Sequence, residues 1–272
     1  MVRDALSHTV PVSERVSFVF LEHARIEREG HALVAVGADG TTQIPVGRTA
    51  VLALGPGCSI THAAVALCGL EGALILWAGE AGTRLYAAGQ PHGDGRALLF
   101  QAALRLDPAI RLKVARRIWG HMFGEEAPAA RSIEQLRGLE GVRVRAIYKQ
   151  LADQNGVRHI LRDGESMDPP NQAINVATAA LYGLTEAVIL ALGYSPAIGF
   201  IHDGDRRSFV FDVADTVKFK TVVPLAFRLA AESSVGIEKR TRHGCRDLFV
   251  AEKMAETLVG IVQDVTRADG SD

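Results

Sequence analysis

The sequence predicts an α+β protein, a β-rich N-terminal domain over residues 1–92 followed by a larger all-helical domain over residues 93–272. Three observations carry that expectation. Up to about residue 90 the apolar residues alternate or form short β-branched runs closed by turn residues. The stretch from Gly89 to Gly95, with Pro91, has linker composition. Beyond it, apolar residues recur at helical spacing.

The elements follow in order. Residues 15–21 and 32–36 are β-type runs, and Asp39-Gly40 is a hairpin signal ahead of residues 41–46. Residues 49–54 read as a buried strand broken by Gly55-Pro56-Gly57. Ser59 or Thr61 can cap a short helix through Leu70, after which residues 73–77 and 83–87 return to strand. Between those two, Gly79-Glu80-Ala81-Gly82 is too short for a phosphate-binding loop and lacks its lysine, so it reads as a turn.

In the second half, residues 96–106 and 109–119 have helical periodicity, and Ser132-Ile133-Glu134-Gln135 is a capping box that opens a helix containing Glu140. Gly138 and Gly141 within that helix cost roughly 1 kcal/mol each relative to alanine. Either tight helix packing or the close approach of a substrate would account for them. Residues 156–170 are polar, with Asp163-Gly164 and Pro169-Pro170, and read as a mobile loop. Asn171 is expected to cap a long helix to Leu192, ended by Gly193 and apolar nearly all round, as the centre of the second domain would be.

Composition narrows the function classes. The start of the chain lacks the apolar core of a signal peptide, and the most apolar runs, near residues 73–77 and 187–192, fall short of the roughly 20 residues that span a bilayer. Cys58, Cys68 and Cys245 make no CxxC pair and leave an odd thiol, which fits a reduced cytoplasm and small core residues better than a zinc–thiolate site. A net charge of −1 neither requires nor excludes nucleic acid. Basic residues nevertheless cluster in three runs, Arg111 to Arg117, Arg137 to Lys149 and Lys239 to Arg246. Each could be a solvated helix face; together they suit a phosphate track.

The acids give the chemistry. His202 follows an apolar strand-like run and precedes Asp203-Gly204, where a buried element emerges into a loop. Asp212 and Asp215 have the i, i+3 spacing that puts both carboxylates on one helix face. Their apolar flanks place at least one near the core, where a carboxylate needs a cation or donors. That cation could be a divalent ion such as Mg2+ or Mn2+, with Glu140 as a further oxygen ligand. It could equally be Lys218, in a purely structural account.

Several strings resemble one family. They are Ile44-Pro45-Val46-Gly47, residues 59–65, residues 79–86, residues 132–141, residues 194–202 and the Phe209 to Phe219 stretch. In order and spacing, from about Arg15 to Phe249, the chain resembles the CRISPR-associated spacer-acquisition integrase, type I-E branch. The resemblance implies a cytoplasmic homodimer that works on DNA with a small companion subunit and inserts short foreign fragments into the CRISPR repeat array by 3′-hydroxyl transesterification. It further implies Glu140, His202 and Asp215 as metal ligands, with Asp212 supporting them. Lys218, Arg84 and Tyr182 fall in matching strings as groups for catalytic support or substrate contact, and Arg137, Arg143, Arg242 and Arg246 are expected along the DNA. His23 stands where relatives carry a tyrosine that stacks on the end of the captured duplex, and an imidazole can still stack. The chain closes on a short polar stretch to Asp272 where some relatives have a longer tail that grips the companion. Two rivals accompany this expectation: a stand-alone metal-dependent nuclease for branched DNA, and a non-catalytic DNA-binding scaffold.

Overall fold

The computed structural model describes residues 17–82, 84–91, 95–129, 132–157, 166 and 168–268. Strands and one helix fill the first part, in two four-stranded sheets. The first has the order β1 (Ser17–Leu21), β5 (Thr49–Leu54), β7 (Leu74–Ala78), β8 (Leu85–Gly89). The second has the order β4 (Gly40–Ile44), β3 (Ala32–Gly37), β2 (Arg25–Glu29), β6 (Ser59–Ile60). The Asp39-Gly40 hairpin forms as expected, with Gly37 paired to Gly40. The first sheet was not legible as parallel, yet β1, β5 and β7 run parallel and only β8 is antiparallel. Helix α1 (His62–Glu71), capped by the Thr61 hydroxyl, lies between β5 and β7 in the chain.

Side-chain alternation explains how this sheet is buried on both faces. Leu52, Leu54 and Ile75 pack with Ile26, Leu33 and Ile44 of the second sheet and with Leu67 of α1. The opposite face presents Val51, Leu74 and Leu76 to Ala187 of the long helix described next. A strand covered on both sides reads as a continuous apolar run, as residues 49–54 do. The Gly79 to Gly82 turn contains a short 3-10 turn, Glu80–Gly82.

The second part is helical: α2 (Arg96–Leu106), α3 (Pro108–Phe123), α4 (Ile133–Gln154), α5 (Pro169–Ala191), α6 (Ser208–Lys218), α7 (Val222–Glu232), α8 (Ile237–Ala251) and α9 (Met254–Val265). Helix α5 begins three residues earlier than expected. Its cap is Asp168, whose carboxylate accepts the Asn171 amide at 3.0 Å, and Pro169 and Pro170 form its first turn. Proline is suited there because its missing N–H would have had no helical partner. Asn171 is therefore inside the helix, where its side chain donates to Asp168 at 2.8 Å. Residues 158–165 and 167, most of the expected mobile loop, lie outside the described residues.

Helix α5 is the hub. It packs against α6, α7, α8 and α9 and against the first sheet. At 23 residues it is long and apolar enough to cross a membrane, contrary to the expectation that no run is; its place amid the other helices gives that apolarity a structural use. Cys68 and Cys245 are buried, which pushes their thiols up to about 11 and about 12, and Cys58 is partly buried. No disulfide joins them.

Candidate metal and DNA site

The site is built on one buried carboxylate. Asp212, 1% exposed on α6, accepts the backbone amides of Phe200 at 2.5 Å, Ile201 at 3.1 Å and His202 at 2.9 Å, and the ring Nδ1 of His202 at 2.8 Å. Three successive amides and an imidazole satisfy its lone pairs, so the loop is fixed relative to the helix. With the Asp212 carboxylate as acceptor, the neutral His202 ring carries its proton on Nδ1 and has the lone pair of Nε2 free. A carboxylate that fixes the tautomer in this way is the usual support of a metal-binding histidine.

The same loop is held from its other side. Gln101 of α2, 0% exposed, donates to the carbonyls of Ser195 at 3.0 Å and Ile198 at 2.8 Å and accepts the Ser195 amide at 2.8 Å. Arg111 of α3 donates to the Phe200 carbonyl at 2.8 Å, and Arg105 pairs with Asp203 at 2.6 Å. Gly199 is required for closeness: a Cβ there would meet the His202 carbonyl oxygen at 2.5 Å and the Ser208 Cβ at 2.7 Å.

One turn beyond Asp212, Asp215 is 5% exposed and pairs with Lys218 at 2.6 Å. The Lys218 ammonium also donates to the Tyr182 hydroxyl at 3.3 Å. Burial, the largest influence, opposes its charge, but Asp215, Tyr182 and Tyr148 together more than offset it and lift its pKa well above the ordinary lysine value. Glu140, on α4, makes no hydrogen bond or ion pair with any described residue. Its pKa is raised, chiefly by burial and then by the charge of Asp215; His202 and Lys218 pull the other way. For His202, burial opposes protonation, while Asp212, Asp215 and Glu140 together more than offset it and raise the pKa above the ordinary histidine value.

Glu140, His202 and Asp215 therefore come within each other's electrostatic reach despite lying on three separate segments. Among the described residues no group of three or more His, Cys, Asp or Glu side chains forms a ready-made metal cluster. The donor set nevertheless fits a hard dication, with two carboxylates that repel one another and an imidazole nitrogen left without a proton. Gly138 and Gly141 are not packed tightly against any described residue. A Cβ on Gly138 would meet nothing within 4 Å, and one on Gly141 only the tip of Arg145 at 3.7 Å.

The other expected contact residues scatter. Arg84 and Arg137 are exposed. Arg143 pairs with Glu125 at 2.6 Å and lies over the rings of Trp119 and Phe123 at 5.7 and 4.9 Å. Arg242 reaches Glu80 at 3.4 Å, tying α8 to the β-rich part, and the exposed Arg246 pairs with Asp247 at 2.8 Å. Tyr182 stacks edge-on with Phe211 at 5.1 Å. His23 sits exposed at the turn after β1 with a φ of 51°, its amide on the Pro56 carbonyl and its ring against Gly57. In the first basic run Arg111 and Arg117 are turned to internal carbonyls. Sequence reasoning missed Gln101, although a lone amide three residues before Leu104 in an apolar helix was a signal. It missed Arg207 as well, hidden in the polar run after His202.

Comparison with known proteins agrees with this architecture. The family model for CRISPR associated protein Cas1 matches residues 121–259, which include Glu140, His202, Asp212, Asp215 and Lys218. The CRISPR-associated endonuclease Cas1 of Escherichia coli K12 is 48% identical over 266 residues, covering 95% of this chain and 87% of that protein. The protein of the same name from Geobacter sulfurreducens is 47% identical over 97% of this chain and 88% of its own length. A crystal structure of a TtCas1–DNA complex superposes with a TM-score of 0.83 at 37% identity, over 93% of this chain and 98% of that one. Relatives that match nearly the whole of this α+β chain carry the name CRISPR-associated endonuclease. The chain belongs to the Cas1 family.

Proposed function

We propose that this protein is a metal-dependent DNA integrase and endonuclease that joins short foreign DNA to the CRISPR repeat array. The observation that supports the reading is the mutual electrostatic influence of Glu140, His202 and Asp215 beside the loop that Asp212 fixes. Glu140, His202 and Asp215 would hold Mg2+ or Mn2+. When bound, the ion would draw charge from a phosphoryl oxygen and from the entering or leaving oxygen.

The chain's own residues do the rest. Asp212 keeps the Nδ1 proton on His202 and so aims Nε2 outward. Lys218 donates to Asp215 at 2.6 Å and, with Tyr182, forms a polar wall beside it. A DNA 3′-hydroxyl attacks a phosphodiester of the repeat and expels a second 3′-hydroxyl; water in place of the first gives hydrolysis. Arg84, Arg137 and Arg246 hold the backbone without reading sequence, so binding weakens steeply with salt. His23 stacks on a duplex end. The β-rich part, residues 1–92, serves dimerisation, residues 93–272 are catalytic, and a small companion subunit completes a cytoplasmic assembly. The TtCas1–DNA complex supports the DNA partner.

A second reading rests on the 2.6 Å Lys218–Asp215 pair, in which the acids merely neutralise cations of a DNA-binding scaffold. Strand joining separates the two. A duplex with a free 3′-hydroxyl and a repeat-containing target, with Mn2+, should give joined product that Glu140→Ala and Asp215→Ala abolish while retaining DNA binding. Full joining in either variant would refute the ligand assignment; no joining or cleavage with either metal over a wide pH range would favour the scaffold.

A further inference from the structure

We propose that Arg207, with the rings of Phe211 and Tyr182, forms a subsite for a DNA backbone phosphate next to the reacting one. This rests on the function proposed above. The Arg207 guanidinium lies 5.2 Å from the Phe211 ring centroid and 5.9 Å from that of Tyr182. Among the described residues this guanidinium makes no hydrogen bond or ion pair, and its Nε is buried. Guanidinium is always charged and carries five donors, so a fork that no described acidic side chain answers suits an anion at its outer nitrogens.

The local charges leave room for one. Glu186, one turn along α5 from Tyr182, feels the charge of Arg207 but makes no salt bridge with it among the described residues. The Lys218 charge is taken by Asp215. The base of the side chain is fixed, since the Arg207 amide donates to Asp205 at 2.7 Å and its carbonyl accepts the Phe211 amide at 3.0 Å. Stacked on rings and anchored in the main chain, the fork is preorganised for a planar pair of phosphate oxygens.

Position selects the phosphate. Phe211 stands between the two groups: His202 meets it edge-on at 5.7 Å, and Arg207 meets it at 5.2 Å. A cation one ring removed from the proposed metal ligand matches a neighbouring phosphate along the strand rather than the reacting one.

The test uses Arg207→Met, which keeps the apolar stem on the rings, and Arg207→Lys, which keeps the charge without the fork. Binding of a branched duplex is followed against salt, and joining with Mn2+ is followed on substrates carrying one neutral methylphosphonate at successive positions. Arg207→Met should melt near the wild-type temperature, lose about one unit of the salt slope, and join roughly 10- to 100-fold more slowly. Arg207→Lys should recover the slope but only part of the rate. One methylphosphonate beside the reacting phosphate should slow the wild type and leave Arg207→Met no slower than before. An unchanged salt slope in Arg207→Met, or a masking position at the reacting phosphate itself, overturns the subsite. A wild type that joins and cleaves nothing sinks the proposed function instead, while the salt slope still decides whether Arg207 holds a phosphate.

Discussion

Asp212 grips His202 twice through a single oxygen, accepting the backbone amide at 2.9 Å and the ring Nδ1 at 2.8 Å. The other oxygen holds the two preceding amides. One buried side chain thus sets where the loop runs, how the ring is turned and which ring nitrogen is free.

Replacing Asp212 with alanine orphans those donors and should lower stability by about 3–5 kcal/mol, as breaking a buried charged network does. Urea unfolding would measure it. A loss under about 1 kcal/mol would mean that Gln101 and Arg111 hold the loop without it.

Glu140→Gln should do the opposite in the absence of divalent ions. The carboxyl's pKa is raised in the folded protein by burial and by Asp215. Its contribution is therefore most favourable below the unfolded value and is lost as pH rises through the higher folded value. In EDTA at pH 7 the glutamine variant should melt higher than the wild type, with the gap closing near pH 4. Added Mn2+ should raise the melting temperature of the wild type alone. A variant that melts lower at pH 7 in EDTA would show that Glu140 is stabilised where it stands.

His202 gives a pH dependence of opposite use to stability and to activity. Its folded pKa is raised, so the bonus from the imidazolium is fully present below the ordinary histidine value and is lost as pH rises through the raised one. The stability advantage of wild type over His202→Asn should shrink as pH rises from the ordinary histidine value through the raised one. Metal-dependent joining needs the neutral ring and should climb across the same interval. Melting curves and joining rates on one pH series check both, and parallel trends would contradict the assignment.

Two glycines should part company. Gly199→Ala drives a Cβ into the His202 carbonyl and the Ser208 backbone, groups that cannot swing aside, so thermal stability and joining should both fall. Gly138→Ala meets open space on an exposed helix face and should stabilise by about 1 kcal/mol. Slower joining by the stabilised Gly138→Ala protein would mark that face as the path of the substrate. Unaltered joining would leave the glycine without a function in catalysis.

Much of the fold was legible because its signals are local. The Asp39-Gly40 turn, the Thr61 and Ser132 caps and the twofold or 3.6-residue periods each depend on a few neighbours in the chain. The parallel pairing of β1, β5 and β7 was not legible, since a buried strand is apolar on both faces whatever its partner's direction. The start of α5 was misread because Asp168 and Asn171 are both good caps, and only the helical placement of Pro169 and Pro170 decides between them.

The sequence by itself determined a strand-rich first part and a helical second part, the carboxylates spaced to share a face of α6, and the motifs that resemble the family. Only the tertiary structure decided that Asp212 is spent on holding the loop, that Lys218 answers Asp215, and that Arg143 is engaged by Glu125 and two rings while Arg207 keeps an unanswered N–H. The reason is physical: backbone periodicity is written in neighbouring residues, whereas the partner of a buried charge is whichever group packing across the molecule brings within a few ångströms of it.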